Sequence, residues 1–406
     1  MRTFAGIDWA TEAHDVCLVD EQGRRAVQRR FAHDETGIAA LCALLGAHRI
    51  ERVAIERPDG LLVDRLLDAG IAVVAIHPNQ AAAARDRYRT AGKDDRLDAF
   101  VLAELARTDM HRFRVLAPDR DETRALRALT RAHQDAVGAR VALTNQLRAQ
   151  LDCFWPGAVR IFSDLASPIS LAFLERYPSP ADARGLGPRR LQAFLDRHHY
   201  CGRKTPDELL DRLRRAPTGR ADELETEARR GVVIGFVAAL RPLVDQIRQL
   251  EAQIAGALTA HPDGQIFKSL FRDPKSAITP ARLLAEIGDS RQRYPTAASL
   301  AADAGMTPVT IQSGKRRAAA FRYGCDARLR NAMATMADST RHWHPWAGDT
   351  YRRAIARGQD HPHAIRTLGR NWTLVLWRCW QDGVPYDPTQ HRALTRHLQT
   401  NNPHTG

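Results

Sequence analysis

RTFAGIDWATEAHDVCLVDEQGRRAVQRRF, residues 2–31, decides how the fold is read. RTFAGID is a short apolar run ending in Asp8, HDVCLVD is a second run, EQGR is a turn, and RAVQRRF alternates in character. Such runs, punctuated by turn residues, predict three consecutive strands between residues 3 and 32. Working outward, ETGIAALCALLGAHR (35–49) spaces its apolar residues as a helix does. RVAIE predicts a buried strand ending on Glu56, and GLLVDRLLDAG a helix closed by Gly70. IAVVAIHP reads as a parallel-type strand stopped by Pro78. A helix over residues 79–86, a polar loop and a helix holding DDRLDAFVLAELAR follow. The order of three meandering strands, then helix, strand, helix, strand, helix implies an α/β sheet with an antiparallel edge.

From residue 118 the pattern becomes helical. One long amphipathic run ends at Pro156 and Gly157, and a second spans 221–258 with an interruption expected at Pro242. Two long helices joined by a polar insertion fit either an antiparallel arm or a small bundle, and heptads are not sustained. A third segment, helical with loops, runs from 266, and a polar tail expected to fray begins at 391. The domain reading is therefore 1–115, 116–265, 266–390 and a tail over 391–406.

At 406 residues the chain is long enough for two or three cores. Its 60 Lys and Arg against 47 Asp and Glu give a net charge of +13, which points to a polyanionic partner. The six cysteines are scattered without a CxxC pair, which disfavours a zinc ribbon or disulfide framework. No apolar leader region and no run long enough to span a bilayer is present, so a cytoplasmic protein is expected.

The acids carry the chemistry. Asp8 and Glu56 each end a strand, and sites in open α/β sheets collect at strand ends. GKDDRLDAF (92–100) places Asp95 and Asp98 three apart at a helix start, so they share a face; Asp94 and Asp98, four apart, share one equally well. Any one of these acids reads alone as a helix cap. Four converging carboxylates need cations between them, and hard oxygen ligands suit Mg²⁺ or Mn²⁺. Two such ions ~4 Å apart clamp the attacking and leaving oxygens of phosphoryl transfer.

The layout of strand–Asp–hairpin, strand–Glu and helical DxxD is that of the ribonuclease H-like nucleases. GIDWATEAHDVCLVD, VAIERPDG and GKDDRLDA further resemble the first domain of the DEDD insertion-sequence transposases, whose catalytic domain is similar to Holliday-junction resolvases. The family's third motif usually reads Lys-Thr-Asp-x-x-Asp-Ala, so the resemblance places its acids on Asp95 and Asp98, with Asp94 in the threonine position. LLAEIGD (283–289), AGMTP (304–308), QSG (312–314), YGCDARLR, TYRRAIARGQ and PYD follow in the order of the family's second domain. There the Ser-Gly serine is the candidate DNA nucleophile, which falls on Ser313, and Lys315, Arg316 and Arg317 suit phosphate contacts. The glycine-rich hairpin common before LLAEIGD is missing: SLFRDPKSAITPAR has no glycine. The resemblance also implies a structured noncoding guide RNA and a dimer or tetramer.

Two other classes compete. GIDWATEAHDVCLVD is also similar to the first phosphate motif of actin-like ATPases and sugar kinases, although no second Asp-x-Gly strand follows. A non-catalytic nucleic-acid-binding protein, with acids that only cap helices, is the other. Within the recombinase reading, a metal-dependent nuclease without serine chemistry is a further alternative. RHHYC, HWHPW and DHPH lack zinc spacing and read as surface or packing histidines. Trp372, Trp377 and Trp380 read as helix packing rather than base stacking.

Overall fold

A computed structural model describes residues 2–88, 94–113, 115–217, 219, 222–273, 275–313 and 316–401. The chain forms two compact units: Met1–Arg124 with Asp263–Gly406, and Ala125–Pro262.

The opening stretch folds as the meander β1 (Thr3–Trp9), β2 (Ala13–Asp20) and β3 (Arg25–Ala32). Then come α1 (Glu35–Ala47), β4 (Arg52–Ile55), α2 (Leu61–Asp68), β5 (Val73–Ala75), α3 (Pro78–Arg85) and α4 (Asp95–Thr108). The strands make one sheet in the order β3-β2-β1-β4-β5, with β4 and β5 parallel to β1 and the other pairs antiparallel. Alternation along each strand splits the core between two faces. Phe4, Cys17, Val19 and Ala54 pack on α4, whereas Ala5, Ile7, Val16 and Ile55 pack with Ile38 and Leu41 of α1 and Leu62 of α2. This mixed α/β sheet followed by a mostly helical remainder is the expected class.

The second unit contains most of α5 (Asp121–Phe154), then α6 (Pro156–Arg160), α7 (Pro168–Arg176), α8 (Pro188–Arg197), α9 (Pro206–Arg214) and α10 (Glu223–Ala260). Both arrangements left open by the sequence coexist here. The α5 and α10 helices run antiparallel, since His133 meets Glu251 at 3.4 Å and Gln150 meets Arg229 at 2.8 Å. Their ends toward Phe154 hold a small bundle around Phe173, Leu191 and Leu240. Pro242 does not interrupt α10. Its missing hydrogen bond is local, and buried Leu240 and Ile247 anchor the turns on either side.

The first unit resumes with α11 (Gly264–Lys268), α12 (Ile278–Ile287), α13 (Ala297–Asp303), the hairpin β6 (Val309–Ser313) and β7 (Arg316–Ala320), α14 (Ala327–Thr340), α15 (Pro345–Ala356), α16 (His361–Asp382) and α17 (Arg392–Asn401). Among the described residues no strand lies between α11 and α12, where the glycine-rich hairpin of the resemblance belongs. Trp372 and Trp380 are fully buried and Trp377 Nε1 donates to the Tyr294 carbonyl at 2.7 Å, so the tryptophans of α16 pack. The polar tail is helical through α17, because Leu394 turns inward at 6% exposure. Among the described residues no helix is long and apolar enough to cross a membrane.

Candidate active site at the strand ends

Gly6 sets the position of α4. A Cβ there would lie 2.1 Å from the Ala99 carbonyl oxygen and 2.3 Å from the Ala103 amide nitrogen, so only a bare α-carbon lets α4 lie this close to β1. Asp8 stands two residues further along the same face of β1. The close approach therefore brings the first turn of α4, with Asp95 and Asp98, over Asp8. Glu56 follows directly after β4, whose Ile55 is in register with Ile7, so it lies beside Asp8 at the sheet's end.

Asp8, Asp95 and Asp98 each offer a carboxylate oxygen within 4.8 Å of the others. Backbone geometry separates the two acids of the alternative spacings. Asp94 is extended (φ −141°, ψ 123°) and caps α4 by accepting from the Arg96 amide, while Asp95 joins Asp98 in the cluster. Glu56 is not one of the three. It contacts Arg85, whose Nη2 is 3.6 Å from Oε1, and Arg85 Nε lies 2.5 Å from Asp98 Oδ1.

Burial and crowded negative charge act together on Asp8. Burial, then the charges of Asp98, Asp95, Glu56 and Asp15, push the Asp8 carboxyl up to about 7. Asp15 escaped the sequence reading. It is the antiparallel partner of Asp8, is buried, and has Arg30 at 3.9 Å. Once the hairpin is drawn, strand alternation does put Asp15 on the face of Asp8. Arg85 was also missed, because an arginine at a helix end reads as solvated. The donors fit a hard divalent cation: all are carboxylates, and Asp98 Oδ1 is buried without a hydrogen bond among the described residues. Asp95 and Asp98 would hold such an ion together with Asp8, and it would relieve the repulsion that raises Asp8.

The second group of expected residues is on the β6–β7 hairpin. Ser313 ends β6 and is paired with Arg316, the first residue of β7. Gly314 and Lys315 lie outside the described residues, as do the side chains of Ser313, Arg316 and Arg317. Of the histidines in the three clusters, His344 packs in the interior, whereas His198, His199, His342, His361 and His363 are exposed. His344 is 4% exposed, meets Tyr386 Oη at 3.1 Å and stacks edge-on against Trp372. His361 Nδ1 meets Tyr351 Oη at 3.0 Å. Among the described residues no histidine or cysteine joins a possible metal cluster.

Comparison with known proteins decides the family. Residues 5–156 match the DEDD transposase model of the IS110 type, and residues 276–352 match the IS116/IS110/IS902 transposase model. The mini-circle protein of Streptomyces coelicolor assigned as the transposase of IS117 is 33% identical, over 98% of both chains. The chain belongs to the DEDD insertion-sequence transposases. As such it is a DNA transposase, and the ATPase and non-catalytic alternatives fall away. The transposase is also 29% identical to the 43.6 kDa protein of insertion element IS110 from Streptomyces coelicolor, over 95% of each chain. Among solved structures, Thermus thermophilus RuvC in complex with a Holliday junction aligns at a TM-score of 0.24 and 16% identity, covering 29% of this chain and all of that one.

Proposed function

We propose that the transposase cuts and exchanges DNA strands for insertion-sequence movement on a ribonuclease H-like domain, using divalent cations, Mg²⁺ or Mn²⁺, held by Asp8, Glu56, Asp95 and Asp98. The supporting observation is the meeting of three carboxylates from β1 and α4 within 4.8 Å, beside Glu56 at the end of β4. The strand order β3-β2-β1-β4-β5, with acids at the ends of β1 and β4, accords with that fold. Bound divalent ions supply charge stabilisation at a phosphorus under attack. The residues' own task is to present hard oxygens at fixed separation, which Gly6 and the Asp94 cap secure through the position of α4.

Ser313 is the proposed nucleophile. Its oxygen forms a bond to phosphorus as the bond from phosphorus to a DNA oxygen breaks, and the released strand carries away a hydroxyl after proton transfer. The resulting phosphoserine ester keeps the bond energy, so a DNA hydroxyl reseals it without a cofactor. Lys315, Arg316 and Arg317 hold phosphates beside it. In this reading residues 1–115 carry the acids, 116–265 the helical arm, 266–390 the serine and 391–406 a tail. A structured noncoding RNA guides target choice, the working form is a dimer or tetramer, and the protein acts in the cytoplasm.

Denaturing electrophoresis with labelled element-end DNA and the element's noncoding RNA tests this. Wild type forms a Mg²⁺-dependent protein–DNA adduct; Ser313→Ala forms none, and Asp8→Asn, Glu56→Gln, Asp95→Asn and Asp98→Asn lose adduct while remaining folded. Full recombination by Ser313→Ala leaves the serine-free nuclease instead. An essential Asp94 with a dispensable Asp95 overturns the acid assignment.

A further inference from the structure

Arg85 is the last residue of α3, and nothing in the proposed reaction uses it. Its guanidinium sits between two acids, with Nε 2.5 Å from Asp98 Oδ1 and Nη2 3.6 Å from Glu56 Oε1. Two features set this apart from a structural ion pair. Buried arginine–carboxylate pairs gain their strength from aligned, bidentate hydrogen bonds. Here Nε and Oδ1 touch without hydrogen-bond alignment, and both are buried atoms with no hydrogen-bond partner among the described residues. The pair is also built on a buried acid of the cluster. The Asp98 side chain is 5% exposed, and its carboxylate neighbours, Asp8 and Asp95, carry the same charge. The guanidinium thus neutralises Asp98 and Glu56, two of the acids a hard cation would need.

We propose that Arg85 is a resident counter-charge that screens Asp98 and Glu56 until a divalent ion binds, and that it withdraws when one does. The inference rests on the metal reading of the acids and goes beyond it, because loading becomes a competition rather than a capture. The exchange is local. Arg85 closes α3, with only Ala81 and Ala84 of that helix buried, so its long side chain can swing outward while the helix stays in place. A withdrawn guanidinium keeps its charge and its fork of donors, which match a phosphate. Nucleic acid that captures it favours metal loading, and the coupling runs equally in the other direction.

The test uses Mn²⁺ alone, titrated at about pH 8 into the metal-stripped full-length protein, with free Mn²⁺ read from its electron paramagnetic resonance signal. With the competitor removed, Arg85→Met binds Mn²⁺ about tenfold more tightly than wild type. Arg85→Lys, which keeps the charge without the fork, falls between them. A purely structural Arg85 gives the opposite sign, because its loss loosens Asp98. Equal or weaker Mn²⁺ binding by folded Arg85→Met overturns the role of Arg85 and leaves the metal reading standing. No Mn²⁺ binding by wild type or either variant overturns both. If circular dichroism shows Arg85→Met unfolded, Arg85→Lys decides: affinity no tighter than wild type overturns the proposal.

Discussion

Replacing Gly6 with alanine adds one methyl group far from any exposed surface, and it strikes at the cluster directly. The new Cβ would lie 2.1 Å from the Ala99 carbonyl oxygen, 2.3 Å from the Ala103 nitrogen and 2.8 Å from the Leu102 carbonyl carbon. Ordinary contact begins near 3.4 Å, so α4 has to retreat from β1 by about 1.3 Å. All three obstacles are backbone atoms of one helix, and no side chain can turn aside to make room. Overpacking of this kind costs about 1–3 kcal/mol, which a chain of this size survives. The site survives less well. Asp95 and Asp98 ride on α4, and a displacement of about 1 Å in a positioned group lowers rate by roughly 100-fold. Gly6→Ala is therefore expected to melt a few degrees lower, bind Mn²⁺ weakly and recombine at about 1% of the wild-type rate. Gly46→Ala is the control, because a Cβ there meets nothing within 4 Å. It should leave recombination unchanged. Wild-type Mn²⁺ affinity and recombination in Gly6→Ala would refute the argument that β1–α4 contact sets the carboxylate spacing.

Other consequences are measurable. Asp8 is raised from 3.8 to about 7, so its contribution favours the metal-free fold at low pH and is lost as pH rises between those values. Asp8→Asn is accordingly expected to stabilise the chelated protein by up to about 4 kcal/mol at pH 8, and not below pH 4; denaturant melts that show it destabilised at pH 8 contradict this. Burial, then His391 and His397, lower His344 to about 4. Stability present above about 6.5 should fall by about 3 kcal/mol as pH drops to 4, and His344→Phe should flatten that acid limb in the same melts. With DNA held mainly through its phosphates, as proposed, affinity should fall steeply with salt. Each of Lys315→Ala, Arg316→Ala and Arg317→Ala should lower the log–log slope by roughly 0.9, and a salt-independent affinity counts against a basic interface.

How much of this was legible depends on the range of each interaction. The β1–β2–β3 meander is written locally, in alternation and turns, and so is the position of Asp8 and Glu56 near strand ends. The choice between Asp94 and Asp95 was not, because both spacings share a face with Asp98, and only the extended backbone at Asp94 makes it the cap. Gly6 carried a readable signal, since an isolated glycine in a strand often marks close backbone approach. Arg85 and Asp15 carried little, because each acquires its role through a neighbour brought near by folding. The coexistence of an antiparallel pair and a bundle in the second unit was hidden for the same reason.

The interrupted first unit imposes an order on synthesis. Its two segments are joined through Asp289, whose carboxylate accepts from the Arg120 amide and from Thr123 Oγ1, across 169 and 166 residues of sequence. At translation speed, the segment ending at Arg124 waits roughly ten seconds or more for Asp263 to emerge. Within that interval the second unit can fold alone, and its antiparallel α5 and α10 bring the two ends of the intervening chain side by side. The entropy of closing that long loop is then met before the late segment arrives, so docking begins from a closed hairpin rather than an open coil. The acid-bearing sheet leaves the ribosome before the second unit, and the unit that contains it is completed only after that second unit has emerged.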